Sequence, residues 1–312
     1  MIEENKTKVD LAENFLRQGK YHEAIVLLKK IHKTSPEEES VLLMLSWAYY
    51  DNGDAKQAEK YLNILLEREL KRKVFTGFAF DELVRIYKQE KNFKKLVKIC
   101  EKAVCAQPED VGLLLELGNA YLQSGEAKKA CDIYEKLIKI ESDNPAYYCS
   151  WGEALFAAGL IEESEKAYLK AGEIDPDQPD RYYFKIAVLF QQADNHQDAE
   201  RLLNKSITVN SSNPLYYCSL GDSLVGTGQI QDALKAYDKA VQCDNSGAGA
   251  YCNRLGNVLM KTGNFSQAAE AFKSAIAHDP VRPYYLSLAS AYKNMGLADQ
   301  ADRILCEVDK IK

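Results

Sequence analysis

One unit recurs along this chain at a spacing near 34 residues, and that period limits the possible folds more than any other feature. Its clearest copy runs from Pro214 to Gly247 and reads PLYYCSLGDSLVGTGQIQDALKAYDKAVQCDNSG. Tyr217, Leu220, Gly221 and Leu224 fall at helical spacing, and Gly228 then supplies the left-handed backbone of a helix C-cap. A second helix follows, with Ala233, Tyr237 and Ala240 on one face. The small residues Gly221 and Ala233 fall where two helices can approach closely. Neither helix can bury its apolar stripe alone, so the unit needs copies of itself on both sides.

Those copies are present. The counterparts of Ala233 are Ala24, Ala58, Leu96, Ala130, Ser164, Ala199, Ala268 and Ala301, with successive spacings of 34, 38, 34, 34, 35, 34, 35 and 33 residues. The turn glycine recurs as Gly19, Gly53, Gly125, Gly159, Gly228, Gly263 and Gly296. Leu117-Gly118-x2-Tyr121 followed by Ala130-x3-Tyr134, and Leu255-Gly256-x2-Leu259 followed by Ala268-x3-Phe272 and Pro280, carry the pattern most fully. The chain resembles the tetratricopeptide repeat family, whose repeat runs W-x2-L-G-x2-Y, A-x3-F, P. The resemblance covers nearly the whole chain. It implies an all-α fold, an α-solenoid of stacked helix-turn-helix repeats wound into a right-handed superhelix. The expected organisation is a single array over 1–312, with repeats at about 5–38, 39–72, 77–110, 111–144, 145–178, 180–213, 214–247, 249–281 and 282–312.

The third repeat departs most from the pattern. Val84 replaces the first-helix glycine, Lys91 the turn glycine and Leu96 the alanine, and four extra residues, 73–76, precede it. Bulk at close-approach positions widens helix spacing, so a bend or flexible joint is expected over 66–84. The adjoining basic run Lys71, Arg72, Lys73 suits a solvated helix end. All eight prolines fall between repeats, and Asn144-Pro145 and Asn213-Pro214 read as an N-cap followed by proline in the first turn.

The formal net charge of −6 argues against general nucleic-acid binding, which needs a basic footprint. The eight cysteines form no CxxC, and none pairs with a histidine at metal-ligand spacing, so they read as small apolar fillers in a reducing, cytoplasmic protein. No segment is apolar enough to span a bilayer, and MIEENKTKVD lacks a signal-peptide core. His22, His32, His196 and His278 occupy four different places in the repeat. No catalytic motif accompanies them, so neither enzymatic activity nor a cofactor or metal is expected.

The expected function is a protein–protein interaction scaffold that holds a peptide or protein segment in a concave groove. The alternative is a regulatory sensor whose array binds a short peptide or small ligand and changes curvature. The two differ in surface: an open groove for the scaffold, an enclosed pocket with convergent polar groups for the sensor. Leu43, Trp47 and Tyr50 form a second stripe beside the core face Leu42, Leu45, Ser46 and Tyr49. Leu115, Leu122, Phe156 and Phe184 repeat the feature, and the family resemblance implies that these places face the groove. Further along, Asp222, Asn257, Lys261 and Lys293 make it polar. An apolar anchor is expected to dock near Trp47 and Phe156, with self-association as another use of the stripe. The family's chaperone-tail clamp is not expected. Asn119 and Asn257 hold one of its places, but Leu115 stands where a lysine is needed.

Overall fold

The computed structural model describes residues 2–72 and 77–308, with side chains from residue 7. Among the described residues there are eighteen α-helices, one 3-10 turn at Asn245–Gly247 and no strand. The chain divides into two compact units, residues 1–142 and 143–312. The first contains α1 (Ile2–Arg17), α2 (Tyr21–Thr34), α3 (Glu39–Asp51), α4 (Ala55–Lys71), α5 (Phe78–Gln89), α6 (Phe93–Ala106), α7 (Val111–Ser124) and α8 (Ala127–Ile140). The second contains α9 (Pro145–Ala157), α10 (Ile161–Ile174), α11 (Pro179–Gln192), α12 (His196–Val209), α13 (Pro214–Gly226), α14 (Ile230–Cys243), α15 (Ala248–Lys261), α16 (Phe265–His278), α17 (Arg282–Asn294) and α18 (Ala298–Val308). In each unit consecutive helices pair as hairpins and each hairpin packs on the next, which makes an all-α solenoid.

The period is written into the packing. Ala24, Ala58, Leu96, Ala130, Ser164, Ala199, Ala233, Ala268 and Ala301 are all 0% exposed. Ser164, the polar member, donates its hydroxyl to the Gly152 carbonyl at 2.7 Å, which offsets the cost of burying it. Opposite these positions, first-helix glycines admit an aromatic ring. A Cβ at Gly118 would lie 2.8 Å from Tyr134, and at Gly152 2.6 Å from Tyr168.

Turns between paired helices use left-handed backbone throughout. Gly125 (φ 84°) and Gly228 (φ 81°) adopt it without strain. In the third and sixth hairpins, which lack the glycine, Lys91 (φ 52°) and Asp194 (φ 56°) take the same conformation. Helix starts follow the capping expectation: Asn144 and Asn213 accept hydrogen bonds from Ala146 N (3.1 Å) and Leu215 N (3.0 Å), with proline in the first turn of α9 and α13.

Residues 73–76, including Lys73, lie outside the described residues, so the inserted part of the expected joint does too. Beside it, α4 continues to Lys71 with Arg72 as its cap, and Val84 and Leu96 are both buried. The cysteine expectation needs correction. Cys100, Cys131, Cys149 and Cys218 are buried fillers, but Cys105, Cys243 and Cys306 are exposed.

Candidate functional site

The first helix of each hairpin presents residues beside its core stripe. In unit one, Leu42 and Leu45 of α3 are fully buried, and Ser46 is buried with its hydroxyl donated to the Leu43 carbonyl at 2.6 Å. One residue along, at i, i+4 and i+7, stand Leu43, Trp47 and Tyr50. Trp47 is 40% exposed, while Leu43 and Tyr50 are half-buried. Tyr50 is already engaged by the next hairpin. The Arg85 guanidinium sits 4.7 Å from its ring centroid, and its hydroxyl donates to Gln89. Arg85 also grips Glu82 through Nε at 3.1 Å and Nη2 at 2.7 Å. Leu115 and Leu122 of α7 are half-buried, next to a Lys88–Glu116 ion pair at 2.7 Å. Phe78, at the start of α5, is 63% exposed. Asp81 lies one turn on, and its carboxyl is raised by burial first and then by Glu116 and Glu82.

In unit two the expected residues are less free. Phe156 is half-buried with its ring 6.3 Å from that of Phe190, and Phe184 lies 4.9 Å from the ring of Tyr216. Asn257 is exposed on α15. Between them runs a polar network that the sequence did not reveal. The Tyr237 hydroxyl donates to Asp222, whose other oxygen receives Arg254 Nε at 3.0 Å and Nη2 at 2.5 Å. Arg254 Nη2 also donates to the Ser219 hydroxyl at 3.1 Å, and Gln191 Nε2 donates to the Ser219 carbonyl at 2.7 Å. Burial opposes the charge on Arg254, but Asp222 and Tyr237 outweigh it and its pKa rises. Burial, then the Asp222 charge, pushes the Tyr237 phenol far above its ordinary range.

The network rests on a local device. Over Gly118, Gly152, Gly221 and Gly256 lies an aromatic ring of the second helix, and at Gly118 and Gly221 its tyrosine hydroxyl reaches the residue after the glycine. Thus Tyr134 donates to Asn119 Oδ1 at 2.8 Å past Gly118, as Tyr237 does to Asp222 past Gly221. In the next repeat Phe272 packs on Gly256 and has no hydroxyl to offer, and Asn257 stays in solvent.

Unit two also holds a cavity of about 650 Å³, lined by Asp177, Gln178, Asp180, Arg181, Phe184 and Lys185 around the start of α11 and by Val209, Asn210, Asn213 and Tyr216. Asp180, at its wall, is only 6% exposed and accepts hydrogen bonds on Oδ2 from Tyr216 Oη (2.8 Å) and Asn210 Nδ2 (3.1 Å). Burial first, then the bond to Asp180, raises the Tyr216 phenol to about 12. No sequence motif marked Asp180; only its place at the start of a helix bordered by Asp177 and Arg181 could have drawn attention to it.

Tetratricopeptide repeat models match residues 15–74 and 224–292, 111–144, and 184–248, together more than half of the chain. No curated protein matches it. Among solved structures, it is similar to a tetratricopeptide repeat protein from Parabacteroides merdae, at 18% identity over 81% of this chain and 98% of that one, with a TM-score of 0.52. MamA protein matches at 21% identity over 56% of this chain and 94% of that chain, with a TM-score of 0.44. YrrB, described as a repeat protein with an unusual peptide-binding site, matches at 17% identity over 61% and 96%, with a TM-score of 0.39. The Parabacteroides likeness is one of fold alone.

Proposed function

Because this chain belongs to the tetratricopeptide repeat family, we propose that it is a protein-interaction scaffold that holds a peptide or protein segment on the inner faces of its first helices. The observation that carries this reading is Trp47. A large aromatic side chain, 40% exposed, sits on a helix whose neighbouring stripe already supplies the core. Tryptophan is among the residues most enriched at energetically dominant contacts. Leu43 and Leu115 extend the apolar character of unit one, and Leu122 adds to it. In unit two, Phe156 and Phe184 offer ring edges, and Asn257 offers a free amide. The chain binds rather than catalyses, and self-pairing through the Trp47 stripe is the competing use of that surface. Eight free thiols favour a reducing, cytoplasmic setting.

Affinity capture from the native host, identified by mass spectrometry and repeated with Trp47→Ala, tests the reading. A dominant protein partner lost in the variant, with an unchanged solution mass and melting temperature, supports it. A partner retained by Trp47→Ala, or none captured by the wild type, rejects it.

A further inference from the structure

The cavity beside α11 carries an arrangement of charge that the scaffold reading does not use. Two carboxylates, Asp177 and Asp180, and two cations, Arg181 and Lys185, line it together with the Phe184 and Tyr216 rings. None of the four forms an ion pair among the described residues. Arg181 donates only to the neutral amide of Gln178, at 2.5 Å. Asp180 is 94% buried by its 6% exposure, yet its partners are a hydroxyl and an amide, both on Oδ2, and Oδ1 receives no hydrogen bond. The free Oδ1 therefore keeps its acceptor capacity for a donor that enters the cavity.

Neighbouring junctions show that the fold does not require it. Tyr182 donates to Asp175 at 2.8 Å and Tyr251 to Asp244 at 2.7 Å, each to a loop carboxylate seven residues earlier in sequence. Asp175 and Asp244 are helix C-caps, and the C-cap before Tyr216, six residues earlier, is Asn210, so the carboxylate comes instead from Asp180, inside the cavity. The acid has in effect moved from a half-buried helix end to the wall of a pocket.

We propose that this cavity binds a zwitterion carrying a free ammonium, a free carboxylate and an apolar side chain. The ammonium pairs with Asp180 Oδ1, the carboxylate meets Arg181 and Lys185 at the exposed rim, and the side chain lies against Phe184 and Val209. A ligand of one charge sign would face like charge on one wall, whereas a zwitterion complements both. The volume falls within the roughly 300–1,000 Å³ typical of small-molecule sites. A free amino acid and a short peptide with both termini free share this chemistry. The site shares Phe184 with the surface of the scaffold reading but contains no residue of the Trp47 stripe.

Titration calorimetry on the full chain decides it, with L-phenylalanine and glycyl-phenylalanine as probes beside their N-acetyl and C-terminal amide forms. At least one of the two zwitterions binds, and each blocked form is weaker by about tenfold or more, the loss of one charge-assisted bond. Binding of phenylalanine identifies an amino-acid site, and binding of the dipeptide alone a peptide site. Asp180→Asn, which keeps both acceptor bonds, removes the preference for a free amine. Arg181→Ala with Lys185→Ala, both on exposed residues, removes the preference for a free carboxylate and keeps the test open if Asp180→Asn misfolds. No binding of either zwitterion, or equal binding of free and blocked forms, overturns the proposal. Trp47→Ala leaves this binding unchanged, so its failure and that of the scaffold reading are told apart.

Discussion

The ring of Tyr237 lies so close to the backbone of Gly221 that a Cβ added there would sit 2.5 Å from it. Real side chains do not meet at that distance, so glycine is required for the two helices of this hairpin to close. Gly221→Ala therefore forces the Tyr237 ring, 3% exposed, out of place. Overpacking of this kind costs about 1–3 kcal/mol. Urea unfolding of unit two, followed by tyrosine fluorescence, reads the loss, and a midpoint equal to wild type would show that the ring yields freely.

Lys91 offers the opposite case. Its φ of 52° places an ordinary side chain in left-handed backbone at a turn where seven other hairpins carry glycine. That conformation costs an L-residue roughly 1–2 kcal/mol, against roughly 0.5–1 kcal/mol of extra chain entropy that glycine loses on folding. Lys91→Gly is expected to stabilise by up to about 1 kcal/mol, seen as a higher melting temperature. Asp194→Gly gives a smaller gain, because aspartate tolerates this region better. A loss of stability in Lys91→Gly would mean that the lysine makes a contact worth more than the strain.

These two positions also show where sequence is and is not enough. The nine small or apolar residues that alternate with the glycines are all completely buried, and their spacing alone located them. Close helix approach admits few residue types, so the constraint surfaces as a repeated letter. Lys91 and Asp194 carry no such letter, yet the same backbone bonds close their turns, from Asn92 N to the Tyr87 carbonyl and from Asn195 N to the Phe190 carbonyl. The expected stripe was legible at Trp47, but not the Arg85 clamp on Tyr50, whose partners lie more than thirty residues apart. The Asp180–Tyr216 bond was equally hidden. Which acid meets which tyrosine depends on the path of a loop rather than on a motif.

Ionisation adds a pH limit. Burial raises the Tyr216 phenol to about 12 from an ordinary 10.0, and the Cys100 and Cys218 thiols to about 12 from an ordinary 9.0. Below their ordinary values, folded and unfolded chains hold the same protons. Above them the unfolded chain loses protons that the folded chain keeps, so unfolding releases protons and rising pH favours it. The stability these groups contribute is complete below pH 9 and is lost progressively towards pH 12. Melting temperatures across this range should fall with pH, and the part of the tyrosinate absorbance that Tyr216→Phe removes should appear only as the chain unfolds. That part appearing at pH 10 in the folded chain would contradict the burial argument.

Thiol accessibility separates the cysteines. Cys105, Cys243 and Cys306 are exposed, whereas Cys100, Cys131, Cys149 and Cys218 are buried, with burial the leading cause of their raised pKa values. Reaction needs both the thiolate and access. A water-soluble thiol reagent followed by peptide mass mapping should modify the exposed three first, and the buried four only when denaturant is added. Early labelling of Cys218 would show that the hairpins of unit two open in the native state.

The Trp47 surface supplies the sharpest test of function, and the contacts around it determine which variant to use. Tyr50 shares its stripe but is bound to Arg85 and Gln89 of the next hairpin. Tyr50→Ala therefore removes internal packing and a cation–π contact along with any partner contact. A double variant with Trp47→Ala would confound the two losses. Trp47→Ala alone removes the more exposed ring and leaves Leu42 and Leu45, the buried residues of the same helix, untouched. If the ring anchors a partner, its loss weakens binding by about 2 kcal/mol or more, roughly thirtyfold, with little change in melting temperature. Tyr50→Ala should instead lower the melting temperature through its lost internal contacts. A large fall in melting temperature for Trp47→Ala would assign the ring to the core, and a dimer falling to a monomer would assign it to a seam between copies.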